Sequence, residues 1–199
     1  MALRLPHILI LAAGRSARMR GVDKLLQEVD GQPLLRRVAI AAIASNAPVT
    51  VVLCTGQEER RKVLEGLALA VVETTNAWKG MAESLKAGLS SLARGAPALV
   101  LLADLPEIGT DELATMIRAH LVNPDCILRG ATQAGRPGHP VLIPPWLRSE
   151  IDTLEGDTGA SQVIARYQDR TMLVTLPGNA AITDLDTPEE WASWQSTRG

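Results

Sequence analysis

Short runs of β-branched and aliphatic residues at 7–11, 49–54, 69–72, 98–103, 126–128, 141–143 and 172–176 alternate with stretches in which apolar side chains recur three or four apart. Examples of the latter are Leu34, Val38, Ala41 and Ala42; Met81, Leu85, Leu89 and Leu92; and Leu113, Ile117 and Leu121. The runs predict strands and the stretches predict helices with one apolar face. Their alternation predicts an α/β three-layer sandwich built on a parallel sheet with crossover helices. Runs 7–11, 49–54 and 98–103 are apolar throughout, as suits central strands covered on both faces. Pro33 fits the first turn of a helix, and Thr110 followed by Asp111 and Glu112 fits a cap with favourable first-turn charges. Beyond 124, turn residues at 133–138 separate two strand-like runs, which predicts an antiparallel hairpin joined to the sheet. With no repeat or linker in view, 1–199 is expected to form a single domain.

Composition narrows the function. The 199 residues include no Phe, one Tyr and four Trp, so the core must be aliphatic and stacking platforms for single-stranded nucleic acid are scarce. A formal net charge of −2 provides no global field for a polyanion, so no nucleic-acid partner is expected and any phosphate chemistry must be local. Cys54 and Cys126 lie in apolar runs and read as small buried hydrophobes, not as a disulfide or a metal site. The apolar N-terminal run gives way to Gly14-Arg15-Ser16-Ala17-Arg18 too soon for a signal peptide, and no stretch approaches the ~20 apolar residues that span a bilayer. A soluble, cytoplasmic protein with no membrane partner is the expectation.

The connection after the first strand is out of proportion. From 12 to 32 no long amphipathic pattern appears, whereas such loops usually take about two to six residues. It opens on Ala12-Ala13-Gly14 and carries Arg15, Arg18, Arg20 and Lys24. Small residues let backbone amides approach a ligand, and clustered cations offset a triphosphate. It leaves the sheet edge where open α/β folds bind ligands. A solvated basic loop is the other reading of the same residues. Neither the P-loop nor the dinucleotide fingerprint is present, since six residues separate Gly14 from Gly21. Asp104 follows the strand-like run 98–103 and precedes Leu105-Pro106, a place for a turn residue or for a metal ligand. Asp184 and Asp186 stand just before a helix start at Thr187-Pro188-Glu189-Glu190, and one of them is expected to cap it.

These residues resemble a family signature. Leu11-Ala12-Ala13-Gly14-Arg15-Ser16-Ala17-Arg18-Met19, then Lys24-Leu25-Leu26 and Gly31-Gln32-Pro33-Leu34-Leu35, is similar to that of MobA-like nucleotidyltransferases, in particular the molybdenum cofactor cytidylyltransferase branch. Further matches are 76–85, 102–106, 135–142, 156–160 and 184–189, with Pro137-Gly138-His139-Pro140-Val141-Leu142 pointing to the branch. The resemblance implies a Rossmann-like, nucleotide-diphospho-sugar transferase-like fold. It implies transfer of CMP from CTP (or a nucleotidyl group from GTP) to the phosphate of a molybdopterin-type cofactor, with release of pyrophosphate, and a molybdenum hydroxylase as client.

The same resemblance implies the site. Arg18, Lys24 and Asp104 would be catalytic. Asp104 and Asp184 would hold Mg²⁺, with Asp186 as a further metal-site acid or support. Leu11, Ala12, Ala13, Gly14, Arg15, Ser16, Asn76, Gly80, Ser84, Arg136 and His139 would line the nucleotide and cofactor sites, with Arg136 as phosphate partner. His139 also reads as a core histidine held in the hairpin. Ala-Ala-Gly at 12–14 resembles the cytidylyl branch. Arg20 and Ser161 depart from the pattern, which has Gly and Arg there. Trp191 and Trp194 read as packing residues and Arg60-Arg61-Lys62 as a solvated face. A sugar-phosphate or other cofactor acceptor, or a non-catalytic cofactor-delivery protein, are the alternatives.

Overall fold

A computed structural model describes residues 4–156 and 160–197. Strand β1 (His7–Leu11) leads through a long loop and a two-residue antiparallel pair, β2 (Glu28–Val29) and β3 (Gln32–Pro33), into α1 (Leu34–Ala44). There follow β4 (Val49–Cys54), α2 (Glu58–Val63), β5 (Ala70–Thr74), α3 (Met81–Ser91), β6 (Ala98–Leu102) and α4 (Thr110–Val122). The chain closes with β7 (Ile127–Ala131), β8 (Pro137–Ile143), short helices α5 (Arg148–Ile151) and α6 (Ser161–Ile164), β9 (Thr171–Thr175) and α7 (Pro188–Ser196).

The seven-stranded sheet runs β5-β4-β1-β6-β8-β7-β9. Strand β8 is antiparallel to both neighbours, and every other pairing is parallel. The expected hairpin is therefore β7–β8, inserted so that β8 separates β6 from β7. Successive residues of the uninterrupted apolar strands serve opposite faces. Ile8 and Ile10 pack with α1, α4 and α7, while Leu9 and Leu11 pack with α3, α5 and α6. This two-sided burial is why those runs do not alternate with polar residues. Helix α3 lies close to the sheet at Gly88, where a Cβ would collide with Leu9 and Val52.

Three helix starts differ from expectation. Pro33 belongs to β3 and precedes α1. Gly109, not Thr110, caps α4: its N–H donates to Glu112 Oε2 (2.9 Å), while the Thr110 hydroxyl donates to the Ala41 carbonyl of α1. Thr187 caps α7, with Glu190 N–H donating to its Oγ1 and Glu190 Oε2 accepting from the amides of Asp186 and Thr187. Neither Asp184 nor Asp186 is the cap, which leaves both side chains for other work. Cys54 and Cys126 are half-buried free thiols. Trp191 and Trp194 are buried and meet edge to face at 6.1 Å, as packing residues do. Among the described residues no helix is long and apolar enough to cross a membrane.

Candidate active site

The 12–26 loop leaves the carboxyl end of β1 between β4 and β6. The Ala12 amide donates to the Val52 carbonyl, and the Ala103 amide donates to the Leu11 carbonyl. Arg60 of α2 fastens this loop from beneath. Its Nε and Nη2 donate to the two Asp23 oxygens at 2.7 and 2.8 Å, Nη2 also reaches Ser16 Oγ at 3.1 Å, and Nη1 donates to the Ala12 carbonyl. At 2% exposure Arg60 is no part of a solvated face, which corrects that expectation; Arg61 and Lys62 are the exposed pair. The Arg60 guanidinium draws the Asp23 carboxyl below its usual pKa against the opposing effect of burial. Asp23 in turn accepts from the Leu25 amide at 3.0 Å, capping the short turn Lys24–Leu26 that aims Lys24 inward.

Lys24 is buried and ends between two carboxylates. Its Nζ donates to Asp104 Oδ2 and, at 2.5 Å, to Asp186 Oδ1. Burial works against the ammonium, but Asp104 and Asp186 hold its pKa above the usual lysine value. Arg18 pairs with the other Asp186 oxygen at 2.6 Å and is otherwise open to solvent, with 71% of its side chain exposed. The chain brings these acids together by two ties. The Leu185 amide donates to the Asp104 carbonyl, and the His139 amide donates to the Ala181 carbonyl where Gly138 leaves no room for a Cβ.

Around this cluster lies a cleft of about 640 Å³. Leu11, Ala12, Ala13, Gly14, Arg15, Ser16, Arg18, Lys24, Gly80, Ser84, Asp104, Asp184 and Asp186 all line it, so most of the sequence-predicted set converges on one place. Asn76 does not line it, although Ala77 and Trp78 from the same turn do. His139 lines a smaller neighbouring cavity. Arg136 lines neither, being exposed on the β7–β8 turn with its amide bonded to Thr132 Oγ1. Of the 156–160 motif, Asp157, Thr158 and Gly159 lie outside the described residues. Two residues of interest escaped the sequence reading. Trp78 stands at the cleft 61% exposed, and Arg129 lines the smaller cavity. The signal for Trp78 was a large aromatic beside Gly80 in a polar turn; for Arg129 it was a charge inside an apolar strand.

The donor set fits a hard cation. Asp104 Oδ1 is buried without a hydrogen-bond partner among the described residues. Partial burial, then the nearby Asp186, Asp104 and Glu190 carboxylates, push Asp184 above the usual carboxylate range. Both Asp186 oxygens already face cations, as does Asp104 Oδ2, so Asp104 Oδ1 and the Asp184 carboxylate are the acidic groups at the cleft left without a cation among the described residues. Among the described residues no group of three or more His, Cys, Asp or Glu could hold a metal alone. A cation would rest on one or two carboxylates and complete its shell with water and phosphate oxygens, the usual habit of Mg²⁺.

The sequence profile of the MobA-like NTP transferase domain matches residues 8–171. A 115-residue stretch, 57% of this chain, is 33% identical to the Bifunctional protein GlmU of Neisseria meningitidis and covers 25% of that protein. The chain thus spans only about a quarter of that relative. Among solved structures, Rv0371c from Mycobacterium tuberculosis is 20% identical with a TM-score of 0.84, covering 98% of this chain and 100% of that one. A manganese complex of Rv0371c is 19% identical with a TM-score of 0.81, covering 98% and 100%. The inositol-1-phosphate CTP transferase of T. maritima is 15% identical with a TM-score of 0.70, covering 94% and 91%. These likenesses identify the nucleotide-diphospho-sugar transferase fold, a mostly parallel sheet wrapped by helices.

Proposed function

The chain belongs to the MobA-like NTP transferase family, and from that premise we propose that it transfers CMP from Mg-CTP to the terminal phosphate of a molybdopterin-type cofactor, releasing pyrophosphate. The observation that carries the reading is Lys24 lodged between Asp104 and Asp186, facing the open backbone of 12–16 across one cleft. A cation on Asp104 and Asp184 would neutralise the triphosphate and draw it toward the acceptor phosphate. Asp104 and Asp184 would hold that cation, and Lys24, whose Nζ lies beside Asp104, would donate to the α-phosphate oxygens, where charge builds during transfer. Arg18, largely exposed, swings from Asp186 to the β- and γ-phosphates. Backbone groups of 12–14 and the start of α3 at Gly80 and Ser84 receive the base and ribose.

The acceptor phosphate is largely ionised at pH 7, because its second pKa is about 6. It therefore attacks the α-phosphorus without a general base, and the residues act by positioning and charge neutralisation. No Ser/His/Asp arrangement is needed. The CTP reading is supported by the Ala12-Ala13-Gly14 form and by a CTP transferase among the structural relatives. The acceptor reading is supported by the resemblance of the 135–142 segment to the molybdenum branch. The inositol-1-phosphate transferase favours a second reading, in which a phosphorylated polyol or sugar is the acceptor.

The experiment is incubation with Mg-CTP or Mg-GTP and either molybdopterin-type cofactor or inositol-1-phosphate, with products identified by mass. A cytidylylated pterin and free pyrophosphate are expected. Pterin cofactor bound without pyrophosphate release would indicate a delivery protein for a molybdenum hydroxylase.

A further inference from the structure

Beside the nucleotide cleft, and sharing Leu11 and Met81 with it, lies a second cavity of about 240 Å³. Its floor is the face of the sheet that β6, β8 and β7 turn toward α3 and α6. Val100 pairs with Val141 and Val141 with Arg129, and residues directly opposite in a sheet share a face. His139 and Ile143, two residues either side of Val141, belong to that face too. The other walls are apolar, from Leu85, Ala160 and Ile164 among others, apart from Ser161. Two polar side chains interrupt this lining without being satisfied by the protein. Among the described residues, buried Arg129 Nε and His139 Nδ1 have no hydrogen-bond partner and Arg129 has no ion pair.

Their protonation states are legible. A buried polar atom left unpaired costs about 1–3 kcal/mol, so two on side chains that line one cavity call for a function. Burial, reinforced by the Arg129 charge, pushes His139 down to about 4, so its ring is neutral at pH 7. The ring is also hydrogen-bonded to the backbone of Val100. A nitrogen donating to a carbonyl carries the proton, which makes the other nitrogen, Nδ1, an acceptor. Arg129, always protonated, is a donor. The cavity thus presents a donor and an acceptor on an apolar floor. It is also smaller than the ~300–1,000 Å³ of a complete ligand pocket, which suits one ring of a larger molecule whose remainder lies in the cleft.

From this juxtaposition we infer that Arg129 and His139 select the acceptor by the amide edge of a heterocyclic ring, with a ring carbonyl accepting from Arg129 and the adjacent ring N–H donating to His139 Nδ1. The inference rests on the nucleotidyltransferase reading of the adjoining cleft and adds the end of the acceptor remote from the reacting phosphate. No bond is made or broken here; Arg129 is a specificity residue. A site built to pair a polar edge rejects an analogue lacking it far more strongly than an apolar pocket rejects a missing methyl.

Fluorescence titration with 6-hydroxymethylpterin, which has the amide edge, and with 2,4-diamino-6-hydroxymethylpteridine, which lacks the ring carbonyl, tests it. The wild-type chain should prefer the pterin at least tenfold, and Arg129→Met should lose that preference while binding Mg-CTP as before. Arg129→Gln, which keeps a donor, should retain part of the preference and guards against a folding defect in the methionine variant. Equal wild-type affinity for the two rings, or binding of neither beside normal Mg-CTP binding, overturns the inference and leaves the nucleotide reading standing. An undiminished preference in Arg129→Met removes Arg129 from it. Loss of Mg-CTP binding in the wild-type chain would instead defeat the reading of the cleft.

Discussion

At the large cleft Arg18, Lys24, Asp104 and Asp186 are paired with one another, whereas Arg129 at the small cavity has no ion pair among the described residues. Lys24, Arg18, Asp104 and Asp186 form one connected cluster, and Arg60 is matched to Asp23 behind it. Arg129 and His139, which line the neighbouring cavity, have buried atoms without partners among the described residues. A self-neutralised cluster can be buried before substrate arrives and must exchange partners when it does. Unpaired groups cannot exchange anything, so what they contribute is discrimination between molecules that satisfy them and molecules that do not. The cleft is thereby suited to chemistry and the cavity to choice.

The sharpest way to break the contrast is to remove a member of the paired cluster. Asp104→Asn and Lys24→Ala should each lower pyrophosphate release by about 10³-fold, the scale on which a single charge-stabilising group acts in a transition state. Circular dichroism should stay native, because the cluster sits at the cleft and not in the core. Near-wild-type turnover in either variant would show that the cluster is structural.

How much of this was legible depended on the physics each residue obeys. Strands β1, β4 and β6 were readable because a doubly covered strand must be apolar at every position. The Lys24–Asp104–Asp186 meeting was not, because 80 and 162 residues separate the lysine from its partners and only the resemblance linked them. Arg60 was misread as solvated since its neighbours Arg61 and Lys62 are exposed, and nothing local tells which of three adjacent cations turns inward to meet Asp23. The resemblance implied Arg136 as the phosphate partner, yet Arg129 on the preceding strand is the arginine that lines the smaller cavity. The departure at Ser161 falls on that same cavity, so the positive charge there comes from β7 instead.

A smaller effect tests the support behind the cluster. Asp23→Ala would leave Arg60 buried without its carboxylate, and breaking such a pair costs about 3 kcal/mol. Denaturant midpoints should fall accordingly, and KM for CTP should rise as the 12–26 loop loosens. An unchanged midpoint would mean that the Ala12 carbonyl and Ser16 suffice to hold Arg60.

On the cavity side, acid should reveal the unpaired histidine. The folded His139 pKa of about 4 lies below the ordinary 6.5, so above pH 6.5 it adds no pH dependence. Between 6.5 and 4 the unfolded chain binds a proton that the folded one refuses, and stability falls by up to about 3 kcal/mol. His139→Gln should flatten that part of the stability–pH curve, measured by chemical denaturation at each pH. An identical slope in the variant would show that His139 titrates normally in the folded protein.

The smallest expected effect returns to the cleft and marks how weakly it chooses. The Ala13 side chain adds one methyl to the cleft wall, and one methyl in a pocket discriminates by only about 1–3 kcal/mol. Ala13→Gly should therefore shift the CTP-to-GTP ratio of kcat/KM toward GTP by about tenfold at least, without changing acceptor selectivity. An unaltered ratio would move base selection elsewhere, with Trp78 at the cleft the next residue to vary. A shift in acceptor selectivity as well would break the division of labour itself, because the methyl lies in the cleft and, among the described residues, only Leu11 and Met81 are common to both cavities.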